Sequence, residues 1–299
     1  MKPLFKWAGA KNKMEDKYRP YFWPDQEIDV FVDAFYGAGT VTHWAAEHYP
    51  DAQFVINDYN TELVNFYRVL KESPEDLMQA LRELESNYLA IHHGDLDKRA
   101  IYYEDKRLTY VHDYDKMDPI DEAAHLHFMM KISFNGWWKV YQFANGRYST
   151  CRGTLTEKKS FINYKLLQET SRFFNDRVIE ILNNDFTITQ EYIGPKTYMY
   201  FDPPYRESYG YEYKEGEFDD TDQKRLCDYM LKCSDGGSAV AMSNREVGDG
   251  YWSENMPEMQ CILFDAKYSA ANGPTMIDAK EVLIRNFESE KSALESLFG

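Results

Sequence analysis

The sequence lacks any run approaching the roughly 18 consecutive apolar residues that crossing a bilayer requires, and Met1-Lys2-Pro3 is not followed by the apolar stretch of a secretion signal. Both absences predict a soluble, cytoplasmic chain. Cysteine is scarce: Cys151, Cys227, Cys233 and Cys261 show no Cys-x-x-Cys spacing, which predicts free thiols instead of a disulfide framework or a zinc ribbon. His92-His93 and His125-x-His127 lack the i, i+4 spacing with a nearby glutamate, so no metal site is expected. Low-complexity segments and internal repeats are missing too. Positive charge is in deficit, with 34 Lys and Arg against 50 Asp and Glu and a net charge of -16. Taken as a sum, that charge repels polyanions.

At 299 residues and 43% hydrophobic content, the chain can bury one large or two modest cores. Strand-like runs near 29–35, 54–57, 178–182, 197–201, 238–242 and 260–267, with 281–287 as a last strand, alternate with helical patterns and predict an α/β fold with a mostly parallel sheet. Helical patterns at 61–72, 74–90, 97–111 and 121–133 fill the long interval between the second and third strands, as does a hairpin signal. The interval therefore reads as an insertion, giving a catalytic domain of residues 1–65 and 165–299 and an inserted domain of residues 66–164. A helix is expected over 223–233, a mobile active-site flap over 206–217, and a second loop over 269–279.

The chemistry concentrates in four segments. Asp202-Pro203-Pro204-Tyr205 follows the apolar run Tyr198-Met199-Tyr200-Phe201, so an acceptor, two stiff prolines and an aromatic face arrive together at a strand end. That set suits gripping a planar amino group, although Asp-Pro and Pro-Pro pairs are also ordinary turn signals. Val30-Phe31-Val32 leads through Phe35 into Gly37-Ala38-Gly39 and a helical stretch, a strand entering a glycine turn where backbone can approach a ligand. Thr42 stands where dinucleotide folds place a third glycine, which speaks against a dehydrogenase. Phe54-Val55-Ile56 ends in Asn57-Asp58, an acid placed for ribose hydroxyls or for capping the helix that starts near Thr61. The fourth segment is Lys6-Trp7-Ala8-Gly9-Ala10-Lys11.

In this order the four segments resemble the Dam-type, class α adenine-N6 DNA methyltransferases, from Lys6 to about Phe287. The resemblance implies a Rossmann-like methyltransferase sheet carrying an inserted DNA-recognition domain. It also implies S-adenosylmethionine as methyl donor, with Trp7, Ala8, Gly9, Lys11, Phe35, Gly37, Gly39, Asp58 and Asp202 matching cofactor positions, joined by Asp185 and Phe186 of the short Asn184-Asp185-Phe186 element. Asp202, Pro203, Pro204 and Tyr205 match the catalytic tetrad that holds a flipped adenine. Duplex DNA is the implied partner, with no membrane and no metal; protein partners are undetermined. Ala10 departs from a glycine usual in the first motif.

The basic residues are clustered. Between Lys131 and Arg177 lie nine (Lys131, Lys139, Arg147, Arg152, Lys158, Lys159, Lys165, Arg172, Arg177) against three acids (Glu157, Glu169, Asp176), so this stretch is expected to face DNA. The loop over 269–279 is expected to face DNA as well. Within it Asn145-Gly146 sits between alternating segments, a hairpin signal, and a two-stranded ribbon fits a major groove. Lys139, Asn145 and Arg147 could address base edges or phosphates, with Phe134, Asn135 and Trp137 beside them. The resemblance sets the DNA-reading hairpin after Asn135-Gly136. Lys139 stands where GATC-reading members carry arginine, which leaves the target sequence open. Cytosine-N4 methyltransferases use a similar tetrad, RNA and glutamine methyltransferases a related turn beginning with asparagine, and a non-catalytic DNA-binding protein could retain the fold.

Overall fold

The computed structural model describes residues 2–4, 7, 11–133, 141–142, 148–150, 160–206, 218–269 and 276–289. In chain order the elements are α1 (Glu15–Phe22), β1 (Val30–Asp33), α2 (Thr40–His48), β2 (Gln53–Asn57), α3 (Thr61–Glu72), α4 (Pro74–Ala90), α5 (Leu96–His112) and α6 (Pro119–Ile132). There follow β3 (Tyr141–Gln142), β4 (Tyr148–Ser149), α7 (Tyr164–Asn175), β5 (Ile179–Leu182), β6 (Thr197–Phe201), α8 (Asp220–Asp235), β7 (Ala239–Glu246), α9 (Tyr251–Asn255), β8 (Gln260–Ser269) and β9 (Met276–Arg285). The main sheet has seven strands in the order β5-β2-β1-β6-β7-β9-β8. β1 runs parallel to β2 and β6, and β6 parallel to β7, while β9 pairs antiparallel with both β7 and β8. This is a mixed α/β, mostly parallel, Rossmann-like sheet, as the strand pattern predicts.

One difference from expectation concerns the chain's last strands. β9 begins at Met276, with Met276 to Ala279 paired to Ser269 to Ala266 of β8, so the expected 269–279 loop is strand at both ends. Periodicity hides this because Met276-Ile277-Asp278-Ala279-Lys280-Glu281 keeps no two-residue alternation that would mark a strand. Of the two roles open to Asp58, capping α3 falls instead to Asn60, whose side chain accepts from the Leu63 amide.

The chain divides into two compact units, one of Met1–Ala10, Gly37–His43 and Asp58–Asn183, the other of Lys11–Tyr36, Trp44–Asn57 and Asn184–Gly299. In the first unit, capping marks the helix starts. Asp118 accepts from the Ile120 and Asp121 amides ahead of Pro119, and Asn163 caps α7. Buried Glu85 on α4 gathers the chain leading into α7, accepting from the Phe161 and Ile162 amides at 2.7 and 3.0 Å and from the Ser160 and Tyr164 hydroxyls. β3 and β4 pair antiparallel, Tyr141 with Ser149 and Gln142 with Tyr148, on either side of Asn145-Gly146 as the hairpin signal predicts.

The same unit buries two histidines. His43 lies edge-on to Phe173, and His127 stacks on Phe66 with ring centroids 5.2 Å apart. Burial, above all, holds both down to about 3. Each is thus neutral when folded, while the unfolded chain takes up a proton near 6.5. Stability is full above that value and declines as pH falls from there toward 3, by up to about 1.4 kcal/mol per pH unit for each histidine. The thermal midpoint is expected to drop between pH 7 and 5, and His43→Phe to flatten that slope. An unchanged slope in this variant would contradict the assignment.

In the second unit β6 is buried along its whole length between β1 and β7, which places residue 202 at the carboxyl end of a central parallel strand. That end is where open α/β sheets bind their ligands. Buried Asn57 braces the neighbouring strand ends, donating to the carbonyls of Ala34 and Asn184 at 3.1 and 3.0 Å and accepting the Asn184 amide.

Candidate active site

Asp202 leaves β6 facing Lys11, whose ammonium lies 2.7 Å from both carboxylate oxygens. Lys11 sits in the short helical turn Lys11–Lys13, and its side chain is 3% exposed against 19% for Asp202. The same ammonium stands 4.8 Å from the centre of the Tyr205 ring. The Tyr205 hydroxyl points toward Glu281 of β9, 3.5 Å from Oε2, and that carboxylate also accepts from the buried Tyr18 hydroxyl at 2.8 Å. A cation, two carboxylates and two phenols thus converge on one loop.

Burial pushes Asp202 up to about 6, against the opposing pull of the Lys11 charge and with a smaller push from Glu281. The reference value of about 3.9 that the sequence alone suggests is therefore too low here. Above about 6 the carboxylate is ionised and only accepts hydrogen bonds; below it, protonation makes it a donor. Turnover is expected to fall as pH drops through about 6, and Lys11→Met to move that limb upward, as a pH–rate profile at saturating substrate would record. A rate flat from pH 8 to 5 would refute the role.

Beside this loop, Phe35 lies 5.6 Å from Phe186 and 5.8 Å from Phe218 between ring centres. Asp185 caps the 3-10 helix Phe186–Tyr192 through the Thr187 amide and hydroxyl, and its two oxygens take the two terminal nitrogens of Arg225, both at 2.9 Å. Partial burial pushes Asp185 up, but the Arg225 and Thr187 bonds outweigh it and hold it below the usual range. The Arg225 guanidinium in turn covers the Phe186 ring at 4.5 Å.

The first unit holds a third group. Gly37 and Gly39 both take positive φ, +49° and +71°. Asp58 accepts the Gly37 amide at 2.8 Å and the Asn60 amide at 2.9 Å, so its carboxylate shapes the glycine turn without capping α3. The Tyr67 hydroxyl donates to the Gly37 carbonyl at 2.8 Å, and Asn183 Nδ2 to the Asp58 carbonyl at 2.9 Å. A Cβ on Gly37 would fall 2.9 Å from Trp7 Nε1.

The structure thus joins Lys11, Asp202 and Tyr205 in one group, Phe35 with Phe186 in another, and Trp7, Gly37 and Asp58 in a third. Ala8, Gly9, Phe134, Asn135, Trp137, Lys139, Asn145 and Arg147, with the 207–217 part of the expected flap, lie outside the described residues. Tyr67, Asn183, Arg225, Gln223, Asn244 and Glu281 carry no motif signal, since each acts across a distance in sequence that only folding closes. Among the described residues no cluster of three or more histidine, cysteine or acidic side chains could hold a metal ion, and no helix is long and apolar enough to cross a membrane.

A Rossmann-like sheet with a glycine turn after its first strand, an acid after its second and Asp-Pro-Pro-Tyr at the end of a central strand defines an amino-group methyltransferase. A family model described as D12 class N6 adenine-specific DNA methyltransferase matches residues 7–277. The chain belongs to that family and is an adenine-specific DNA methyltransferase. It is 27% identical over 251 residues to Type II methyltransferase M.MjaIII of Methanocaldococcus jannaschii, covering 82% of this chain and 84% of that one. It is likewise 27% identical over 304 residues to Type II methyltransferase M1.LlaDCHI of Lactococcus lactis subsp. cremoris, covering 96% of each. A DNA N-6-adenine-methyltransferase of Escherichia phage P1 is 23% identical over 81% of this chain and 29% of its own length.

Proposed function

We propose that the chain transfers the methyl group of S-adenosylmethionine to N6 of an adenine flipped out of duplex DNA, acting in the cytoplasm. The observation that carries this reading is the Asp202 carboxylate, held by Lys11 beside the Tyr205 ring at the end of β6. The residues present fit the cofactor. Gly37 leaves open a space beside Trp7 that a Cβ would fill, and Asp58 and Phe35 supply an acceptor for ribose hydroxyls and an aromatic wall for a nucleobase. Trp7, Ala8, Gly9, Lys11, Gly37, Gly39, Asp58, Phe35, Asp185, Phe186 and Asp202 would hold it. When bound, it supplies an electrophilic methyl carbon on a sulfonium.

The chain's own task is to make a poor nucleophile competent. The lone pair of an exocyclic amine is delocalised into the base, so Asp202 would accept one amino hydrogen and the Pro203 carbonyl the other, favouring a tetrahedral nitrogen whose lone pair is aimed. Tyr205 would stack on the base once it leaves the duplex, and the rigid Pro203-Pro204 pair would keep the acceptors still. An aspartate near 6 does not strip a proton from a neutral aryl amine; the proton becomes acidic after the nitrogen has gained its methyl group. The inserted stretch 66–164 would carry DNA recognition, with Phe134, Asn135, Trp137, Lys139, Asn145 and Arg147 around the hairpin that β3 and β4 begin.

Mass spectrometry of nucleosides from mixed-sequence duplex DNA, incubated with the chain and S-adenosylmethionine, tests the reading. N6-methyladenine is expected; N4-methylcytosine alone, or no methylated base, would overturn it.

A further inference from the structure

Residues 203 and 204 are both proline, so neither peptide nitrogen can donate, and the backbone of the catalytic loop can be hydrogen-bonded only through its carbonyls and the amides beyond them. Two buried side chains take up that task. Gln223 Nε2, from the first turn of α8, donates to the Pro204 carbonyl at 2.7 Å. Asn244 Oδ1, from β7, accepts the Arg206 amide at 3.2 Å and its own neighbour's amide, Arg245, at 2.8 Å. The two are joined, Asn244 Nδ2 donating to Gln223 Oε1 at 3.1 Å. Gln223 is 1% exposed and Asn244 fully buried.

The Gln223 side chain is not needed to cap the helix that bears it. The amides opening α8 are capped by Asp219, which accepts from Thr221 and Asp222, and a buried amide is costly unless its partners are made. The two peptides that Gln223 and Asn244 grip are the ones on either side of Tyr205, and peptide planes are rigid. Fixing both fixes the backbone torsions of Tyr205.

We propose that Gln223 and Asn244 are positioning residues for methyl transfer, a linked amide pair that sets the backbone of Tyr205 and thereby the direction of the ring receiving the target base. The inference rests on the reading above that Tyr205 stacks on that base. Loss of the pair need not unfold the loop, because the Arg206 guanidinium is separately held by Asp220 and Asp249, both at 2.9 Å, and covers the Tyr251 ring at 3.8 Å.

The test is single-turnover methyl transfer to mixed-sequence duplex DNA by the full chain, with the S-adenosylmethionine dissociation constant and thermal midpoint measured in parallel. Gln223→Met conserves volume and removes the donor to Pro204. It is expected to slow transfer by roughly 10- to 100-fold, the scale of a misplaced reacting group, with cofactor affinity kept within about twofold because the loop's cofactor side is untouched. Gln223→Met combined with Asn244→Leu should lose no more than the worse single variant, since the pair acts as one unit. Should Gln223→Met fail to fold, Gln223→Glu, which keeps the acceptor for Asn244, carries the same expectation. A folded variant transferring at the wild-type rate overturns the proposal, as does a rate loss matched by equal loss of cofactor affinity. No transfer by the wild-type chain would overturn the functional reading beneath it, and that result is visible in the wild-type sample alone.

Discussion

Asp202→Ala is expected to leave no measurable turnover, a loss of at least about 10³-fold, because it removes the acceptor aimed at the reacting nitrogen, for which single preorganised groups reach that scale. Folding should survive. Burial holds Asp202 at about 6, above its unfolded value, so its stabilising contribution is present only below that unfolded value and is lost as pH rises through about 6. At neutral pH the ionised carboxylate is a burden that the substitution lifts, and this offsets the loss of the Lys11 partner. Circular dichroism should show a wild-type spectrum and a thermal midpoint displaced by only a few degrees, while nucleoside analysis shows no N6-methyladenine. Residual transfer within tenfold of wild type would remove Asp202 from the mechanism.

The second large effect is expected at Gly37. Its φ of +49° is a conformation that branched side chains strongly disfavour, and a Cβ there would press on the Trp7 indole at 2.9 Å. Gly37→Val therefore must shift the turn, and with it the amide that Asp58 accepts and the carbonyl that Tyr67 holds. Strain of about 1–3 kcal/mol at such a site corresponds to roughly 5- to 150-fold weaker cofactor binding if the bound form needs the native turn. Titration calorimetry with S-adenosylmethionine reads this directly. Gly194→Ala, where an added Cβ meets nothing within 4 Å, should bind as wild type does; a tight Gly37→Val complex would dissociate the turn from cofactor binding.

The parts of this molecule legible in the sequence are those whose cause is local. The spans 61–72 and 74–90 are recovered to the residue because Asn60 caps one helix and Ser73-Pro74 opens the next. β6 is visible as an unbroken apolar run, and so is the tetrad that follows it. What the sequence conceals is long-range. Lys11 meets Asp202 across 191 positions, and Gln223 finds Pro204 across 19 with no spacing rule to announce it. The carboxylate's acidity escaped as well, since the sequence supplies a reference value and only burial supplies the shift. Asp58 shows a middle case: the residue is marked by its place after β2, yet its grip on Gly37 belongs to the folded turn.

The Gln223–Asn244 pair holds the catalytic loop by a carbonyl and an amide, groups that every residue type except proline, on the amide side, presents alike. Its hold is therefore blind to the identity of the side chain at position 205. Substitution there can vary the surface offered to a substrate while the scaffold stays constant, so geometry and selectivity are inherited separately. In that sense the loop is a mount for interchangeable faces, and divergence of substrate preference on this fold does not require the mount to be rebuilt.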